Sequence, residues 1–156
     1  MKALIPLTNF LAVSEKVKLL EYANKAEWIT HYSTVSGTKT PLEFTHVTDE
    51  VRKHLFLYYG TNVKLMLSRL HPNTIQDWHT DGKKNKRTTV VIHPLTDDYA
   101  PLHVHGGASN GAVILNTQER HKIINNDNMR INFQICYDEN IEEVSVYWKN
   151  YQISTT

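Results

Sequence analysis

The sequence predicts a mainly β domain, an antiparallel sandwich or barrel, with helices confined to its N-terminal part. Three observations carry that expectation. After Gly60 the chain breaks into short β-branched or alternating runs, turn-rich segments separate these runs, and no helical pattern of useful length intervenes as the crossovers of a parallel sheet would require. With 156 residues, 40% of them hydrophobic, the chain has the size and apolar content of one domain around one core.

Taken in order, the first element is a helix. Ser14 can cap it, and Val17, Leu20 and Ala23 or Asn24 recur at helical spacing along one face as far as Trp28. A second helix opens at Thr48 or Asp49, carries Val51, Leu55 and Tyr58 or Tyr59, and stops at Gly60. Between the two, residues 29–47 are rich in Thr, Ser, Gly and Pro and read as a loop or short strands that could lie over an active-site mouth. Strands are expected over residues 63–70, 88–93, 102–105, 112–115, 122–124, 129–137 and 144–148. The whole chain, 1–156, reads as a single domain in which residues 1–60 form a helical support and residues 61–150 the β core.

Composition narrows the partners. Seventeen Lys and Arg against sixteen Asp and Glu leave a net charge of +1, so nucleic acid is not indicated by the overall field, though not excluded locally. No run approaches the roughly 18 to 20 apolar residues that cross a bilayer, so no membrane partner is expected. Pro6, Thr8 and Asn9 interrupt the apolar N-terminus, which reads as mature structure and not as a secretion signal. Cys136 is the one cysteine, which excludes an intrachain disulfide or thiolate cluster and suits a cytoplasmic protein. Nine histidines, by contrast, supply abundant metal ligands.

His79-Thr80-Asp81 places an imidazole and a carboxylate two residues apart, which in an extended strand turns both to one face. His121 is a third ligand candidate. If Asn125, Asn126, Asp127 and Asn128 form the loop of a hairpin, Ile124 opposes Met129 and His121 opposes Asn132. His121, Arg130, Asn132 and Gln134 then project one way, towards a wet cavity, while Ile131, Phe133 and Ile135 project the other way, beneath the helices. Two histidines and one carboxylate are the set that holds non-haem Fe(II) and leaves coordination positions open.

On these residues the chain resembles the Fe(II)- and 2-oxoglutarate-dependent oxygenases, whose pattern is His-x-Asp, a distal His, and an Arg or Lys beyond it. His79, Asp81, His121 and Arg130 carry that pattern here. The segments Leu70-His71-Pro72-Asn73-Thr74, residues 87–95 and Gly111-Ala112-Val113-Ile114-Leu115 look most like the aspartyl/asparaginyl hydroxylase branch. The resemblance spans roughly residues 63–137. Some members of that branch lack the carboxylate ligand, whereas this chain keeps Asp81. The resemblance implies a double-stranded β-helix, the cupin-like jelly-roll, with the N-terminal helices packed on its sheet. It implies iron held by His79, Asp81 and His121, with 2-oxoglutarate and dioxygen as co-substrates. It further implies hydroxylation of an unidentified substrate, a small molecule or an amino-acid or peptide side chain, with release of succinate and carbon dioxide. Arg130 would take the distal carboxylate of 2-oxoglutarate, since a guanidinium makes two parallel charge-assisted hydrogen bonds to it. Arg87 sits where that branch often has a further basic residue near the co-substrate.

Other residues compete for these roles. His103-Val104-His105 is a second alternating pair that could build a three-histidine site with His79 or His121, as in cupins or zinc enzymes, although the Glu of a cupin metal motif is missing. A cupin-like metal-binding isomerase is therefore one alternative, and a non-enzymatic jelly-roll binding protein another; only an oxygenase consumes 2-oxoglutarate. His71 and His93 read as structural, and Trp78 points away from the face of His79. Lys83, Lys84, Lys86 and Arg87 form a basic run directly after Asp81 that, with parts of residues 29–47, is expected to border the substrate entrance.

Overall fold

A computed structural model describes residues 2–35, 38–53, 55, 63–81 and 88–155. Among the described residues, eleven strands form two antiparallel sheets. The larger has seven strands in the order β1 (Leu4–Pro6), β9 (Val113–Asn116), β6 (Thr89–Pro94), β11 (Arg130–Tyr137), β4 (Lys64–Leu70), β3 (Thr38–His46) and β2 (Ile29–Val35). The smaller has four: β5 (Ile75–His79), β10 (His121–Ile124), β7 (Leu102–Val104) and β8 (Gly107–Ser109). From β4 onward the chain passes repeatedly between the two sheets, which is the winding of a double-stranded β-helix.

That winding gives two apolar layers. Outside the large sheet, Leu65, Leu67, Val91, Ile114, Phe133 and Ile135 pack beneath α1 (Val13–Lys25), through Leu19 and Ala23, and beneath α3 (Ile141–Thr155), through Ile141, Val144 and Trp148. Between the sheets, Met66, Leu70, Val90, Ile92, Val113, Leu115 and Cys136 meet Leu102, Val104 and Ile123. Covered on both sides, β6 and β9 are buried at every position, which is why they read as continuous apolar runs and not as alternating ones.

Several expectations change. α1 begins one residue before Ser14, which is no cap: the Glu15 carboxylate accepts the Ala12 N–H at 2.8 Å and closes the first turn. Of the loop or short strands expected over residues 29–47, the structure has strands: β2 pairs with β3, which extends the large sheet, and β1 pairs with β9, so the N-terminal part supplies strands as well as helices. Residues 144–148 are helix and not strand. Their β-branched content misleads, whereas Ile141, Val144 and Trp148 follow helical spacing into the core and the Asn140 side chain caps the Glu143 N–H at 3.0 Å. Of the second helix, α2 (Asp49–Arg52) is described, capped by Thr48 Oγ1; Tyr58, Tyr59 and Gly60 lie outside the described residues. Among the described residues no helix is long and apolar enough to cross a membrane.

The expected hairpin between β10 and β11 does not form. β10 pairs with β5 and β7 in the small sheet, and β11 pairs with β4 and β6 in the large one. The turn between them carries the chain across, and Asn125 knits it in place: its Nδ2 donates to the carbonyls of Leu70, His71 and Asn128 at 3.1, 2.9 and 3.0 Å. Facing is nevertheless preserved, because the inner sides of β10 and β11 look into the same space from opposite sheets.

Candidate metal centre

β5 and β10 are antiparallel neighbours with His79 directly opposite His121, so both rings leave the same face, where their centroids lie 4.2 Å apart. Asp81 follows the end of β5. Its backbone N–H donates to Thr117 O at 2.9 Å, and Gln118 Nε2 donates to its carbonyl at 3.1 Å, so the segment after β5 is tied to the one before β10. One ligand atom from each of His79, Asp81 and His121 lies within 4.8 Å of the others. Asp81 Oδ1 stands 3.8 Å from Nε2 of each histidine, too long for a hydrogen bond.

The tautomers follow from the backbone. His79 Nδ1 lies 2.7 Å from Asp77 O, and His121 Nδ1 lies 2.9 Å from Glu119 O. A carbonyl only accepts, so each Nδ1 carries the proton and each Nε2 keeps the lone pair that a metal needs. Two neutral imidazoles and a carboxylate, oriented in this way, fit a divalent first-row ion such as Fe(II). Sequence reasoning missed the carbonyls of Asp77 and Glu119 and the tethers from Thr117 and Gln118. Backbone acceptors leave no trace in residue type, although each lies two residues before the histidine that it orients.

Arg130 opens β11, opposite Leu70, with 2% of its surface exposed. Its Nη1 donates to Ala100 O and its guanidinium lies over the Tyr99 ring at 5.1 Å. Among the described residues it has no ion pair, and its Nε has no hydrogen-bond partner. Burial pushes its pKa down to about 10, against the opposing effect of Tyr99, so the side chain stays charged at neutral pH. A buried cation without a carboxylate is costly and is suited to an anionic ligand.

The rival residues separate from this cluster. Val104 pairs with His121 and packs inward, so His103 lies on the other face, beside Lys122, and His105 stacks on Trp78 at 4.3 Å. Lys122 Nζ sits 4.7 Å from the Trp78 ring centroid, which completes an outer stack remote from the ligand atoms. His71 contacts Glu43, which also pairs with Arg69; burial works to raise the Glu43 carboxyl, but these two partners hold it below its ordinary range. His93 packs edge-on against Phe10 on the helical side of the large sheet. Arg87, Lys83, Lys84 and Lys86 lie outside the described residues.

Fold and side chains together define a double-stranded β-helix with two imidazoles and a carboxylate converging at its small sheet. Solved structures share this architecture. The chain is similar to an oxidoreductase of the 2OG-Fe(II) oxygenase family from Burkholderia pseudomallei, with a TM-score of 0.65 and 10% identity over 88% of this chain and 85% of that one. It is also similar to a Pseudomonas putida prolyl-4-hydroxylase, with a TM-score of 0.60 and 10% identity over 86% and 92% of the two chains. A cupin 2 conserved barrel domain protein from Rhodopseudomonas palustris gives 0.50 and 8% over 73% and 72%. At such identities the likeness establishes the fold. No family model and no curated protein matches the chain.

Proposed function

We propose that this chain is a cytoplasmic Fe(II)- and 2-oxoglutarate-dependent oxygenase that hydroxylates an amino-acid or peptide side chain or a related small molecule. His79, Asp81 and His121 hold the iron, and Arg130 holds the 5-carboxylate of 2-oxoglutarate. The observation that carries the reading is Arg130: a buried, charged guanidinium without an ion pair among the described residues, facing the same interior as the ligand cluster. Two lines favour a side-chain substrate. Residues 63–137 resemble the aspartyl/asparaginyl hydroxylases, and the structural neighbours include prolyl hydroxylases.

Iron, when bound, supplies the dioxygen chemistry that couples oxidative decarboxylation of 2-oxoglutarate, to succinate and carbon dioxide, with hydroxylation of a C–H bond. The chain's own residues position and exclude. The Asp77 and Glu119 carbonyls fix the two imidazoles with Nε2 inward. Arg130 fixes the far end of the co-substrate by a bidentate charge-assisted contact. The apolar inter-sheet layer around Met66, Val104 and Ile123 keeps water from the space between them.

Anaerobic Fe(II) titration and succinate formation test the proposal. One iron per wild-type chain is expected, with affinity falling at least about a hundredfold in His79→Ala and His121→Ala. Wild-type stoichiometry and affinity in both variants would overturn the site. Iron binding without consumption of 2-oxoglutarate would favour a cupin-like isomerase or a binding protein.

A further inference from the structure

Alternate residues Arg130, Asn132 and Gln134 leave β11 on the inner side of the large sheet. Asn132 is directly opposite Ser68 on β4, and Gln134 is its diagonal neighbour. Gln134 Nε2 donates to Ser68 Oγ at 2.8 Å, and Asn132 Nδ2 approaches the same oxygen at 3.4 Å. Asn132, 2% exposed, keeps its Oδ1 without a hydrogen-bond partner among the described residues, as Arg130 keeps its Nε.

Two amide donors thus converge on one hydroxyl, whose own proton finds no acceptor among the described residues, while among them the Asn132 carbonyl oxygen close by is left without a donor. The oxygen and nitrogen of an amide are told apart only by their hydrogen bonds. Exchanging them at Asn132 resolves both faults: Gln134 donates to Ser68, and Ser68 donates to Asn132 Oδ1. The Asn132 amide N–H then becomes the group left over, two residues along the strand from the unpaired Nε–H of Arg130.

We infer that Gln134 and Ser68 form a directional relay that sets Asn132 as a second donor to the carboxylate held by Arg130. This rests on the proposed function, and deepens it: the distal pocket then selects a dicarboxylate through a cation and a neutral amide together. Asn132 binds the ligand, whereas Ser68 and Gln134 act through it as positioning residues.

Calorimetric binding of 2-oxoglutarate, with 2-oxobutyrate as a ligand lacking the distal carboxylate, tests the relay. Asn132→Leu should raise the 2-oxoglutarate Kd about tenfold, the loss of one hydrogen bond to a charged group, and leave 2-oxobutyrate unchanged. Gln134→Glu, which must accept the Ser68 proton instead of donating to Ser68, should weaken 2-oxoglutarate binding several-fold. Ser68→Ala should do the same, with Ser68→Thr restoring it. In metal-free protein, the side-chain NH2 resonances that vanish in Asn132→Leu should move on addition of succinate and stay in place with 2-oxobutyrate. If Arg130→Met weakens 2-oxoglutarate binding but Asn132→Leu does not, or if succinate leaves the amide resonances unmoved, the relay is wrong and Arg130 alone reads the carboxylate. If Arg130→Met has no effect either, the proposed function fails with it.

Discussion

The two faces of β11 differ in what they bury. On the side beneath α1 and α3, Phe133, Ile135 and Tyr137 join Leu19, Ile141 and Trp148 in an apolar layer, and the Tyr137 hydroxyl is satisfied by Trp148 Nε1 at 3.1 Å. On the side facing the small sheet, Arg130 and Asn132 are as deeply buried, yet each keeps a polar atom unmatched among the described residues. Burying such groups costs stability, about 1–3 kcal/mol for each unmatched one. The contrast within β11 teaches where this strand accepts that cost, on the face turned to the ligand cluster; across the large sheet the helical side carries one such atom of its own, Nε2 of His93 on β6.

Truncation on the helical side should have the largest effect. Trp148 is fully buried, so Trp148→Ala is expected to lose about 3–5 kcal/mol in urea unfolding, with Fe(II) affinity of the folded protein unchanged. A loss below about 1 kcal/mol would break the division by removing α3 from the core. On the inner side the pattern should invert. Arg130→Met is expected to leave unfolding unchanged or delayed while 2-oxoglutarate affinity drops at least about thirtyfold, the low end of the roughly 2–5 kcal/mol for breaking a buried charge pair. Early unfolding with affinity intact would exchange the roles of the two faces.

The seam between the sheets gives a smaller effect. Asn125→Ala removes three carbonyl contacts at the crossover turn and should cost about 1–3 kcal/mol, measured by thermal unfolding. Unchanged stability would mean that the turn is held by the chain and not by this side chain. The smallest effect concerns His93, the buried imidazole on the helical side. Burial, and more weakly Lys16, holds its pKa below 6.5, while the Pro94 carbonyl opposes the shift. Unfolded chains then bind a proton that the folded protein resists, so stability is fully present above about pH 6.5 and declines as pH falls towards the folded pKa. His93→Leu should flatten the fall of Tm with pH across that window relative to wild type; identical profiles would show that His93 charges freely in place.

The strands of the β core were legible because their runs are bounded by turn residues, and the division of β11 into polar and apolar sides was legible because alternation is local. Val144 to Trp148 misled, since β-branched content outweighed the helical spacing of Ile141, Val144 and Trp148 and the cap at Asn140. Residues 29–47 were legible only as a loop or short strands, because their turn-like composition leaves open what the pairing of β2 with β3 decides. Ser68 carried a signal that went unread: it is a hydroxyl between Met66 and Leu70 on the inward side of β4.

By itself the sequence determined which side chains share a face: within one strand, period 2 fixes direction whatever the partner. It thereby set His121 with Ile123, Arg130 with Asn132, and the residue types of the ligand cluster. Only the tertiary structure decided what those faces look at. An Asn-rich turn of the same length can close a hairpin or carry the chain to another sheet, and the choice rests on distant groups: Asn125 bonding the Leu70 and His71 carbonyls, and β5 and β7 competing for β10. The same long-range pairing brought His79 opposite His121 and left Arg130 buried without an ion pair among the described residues. Local rules give direction; enclosure and proximity come from contacts between residues far apart in the chain.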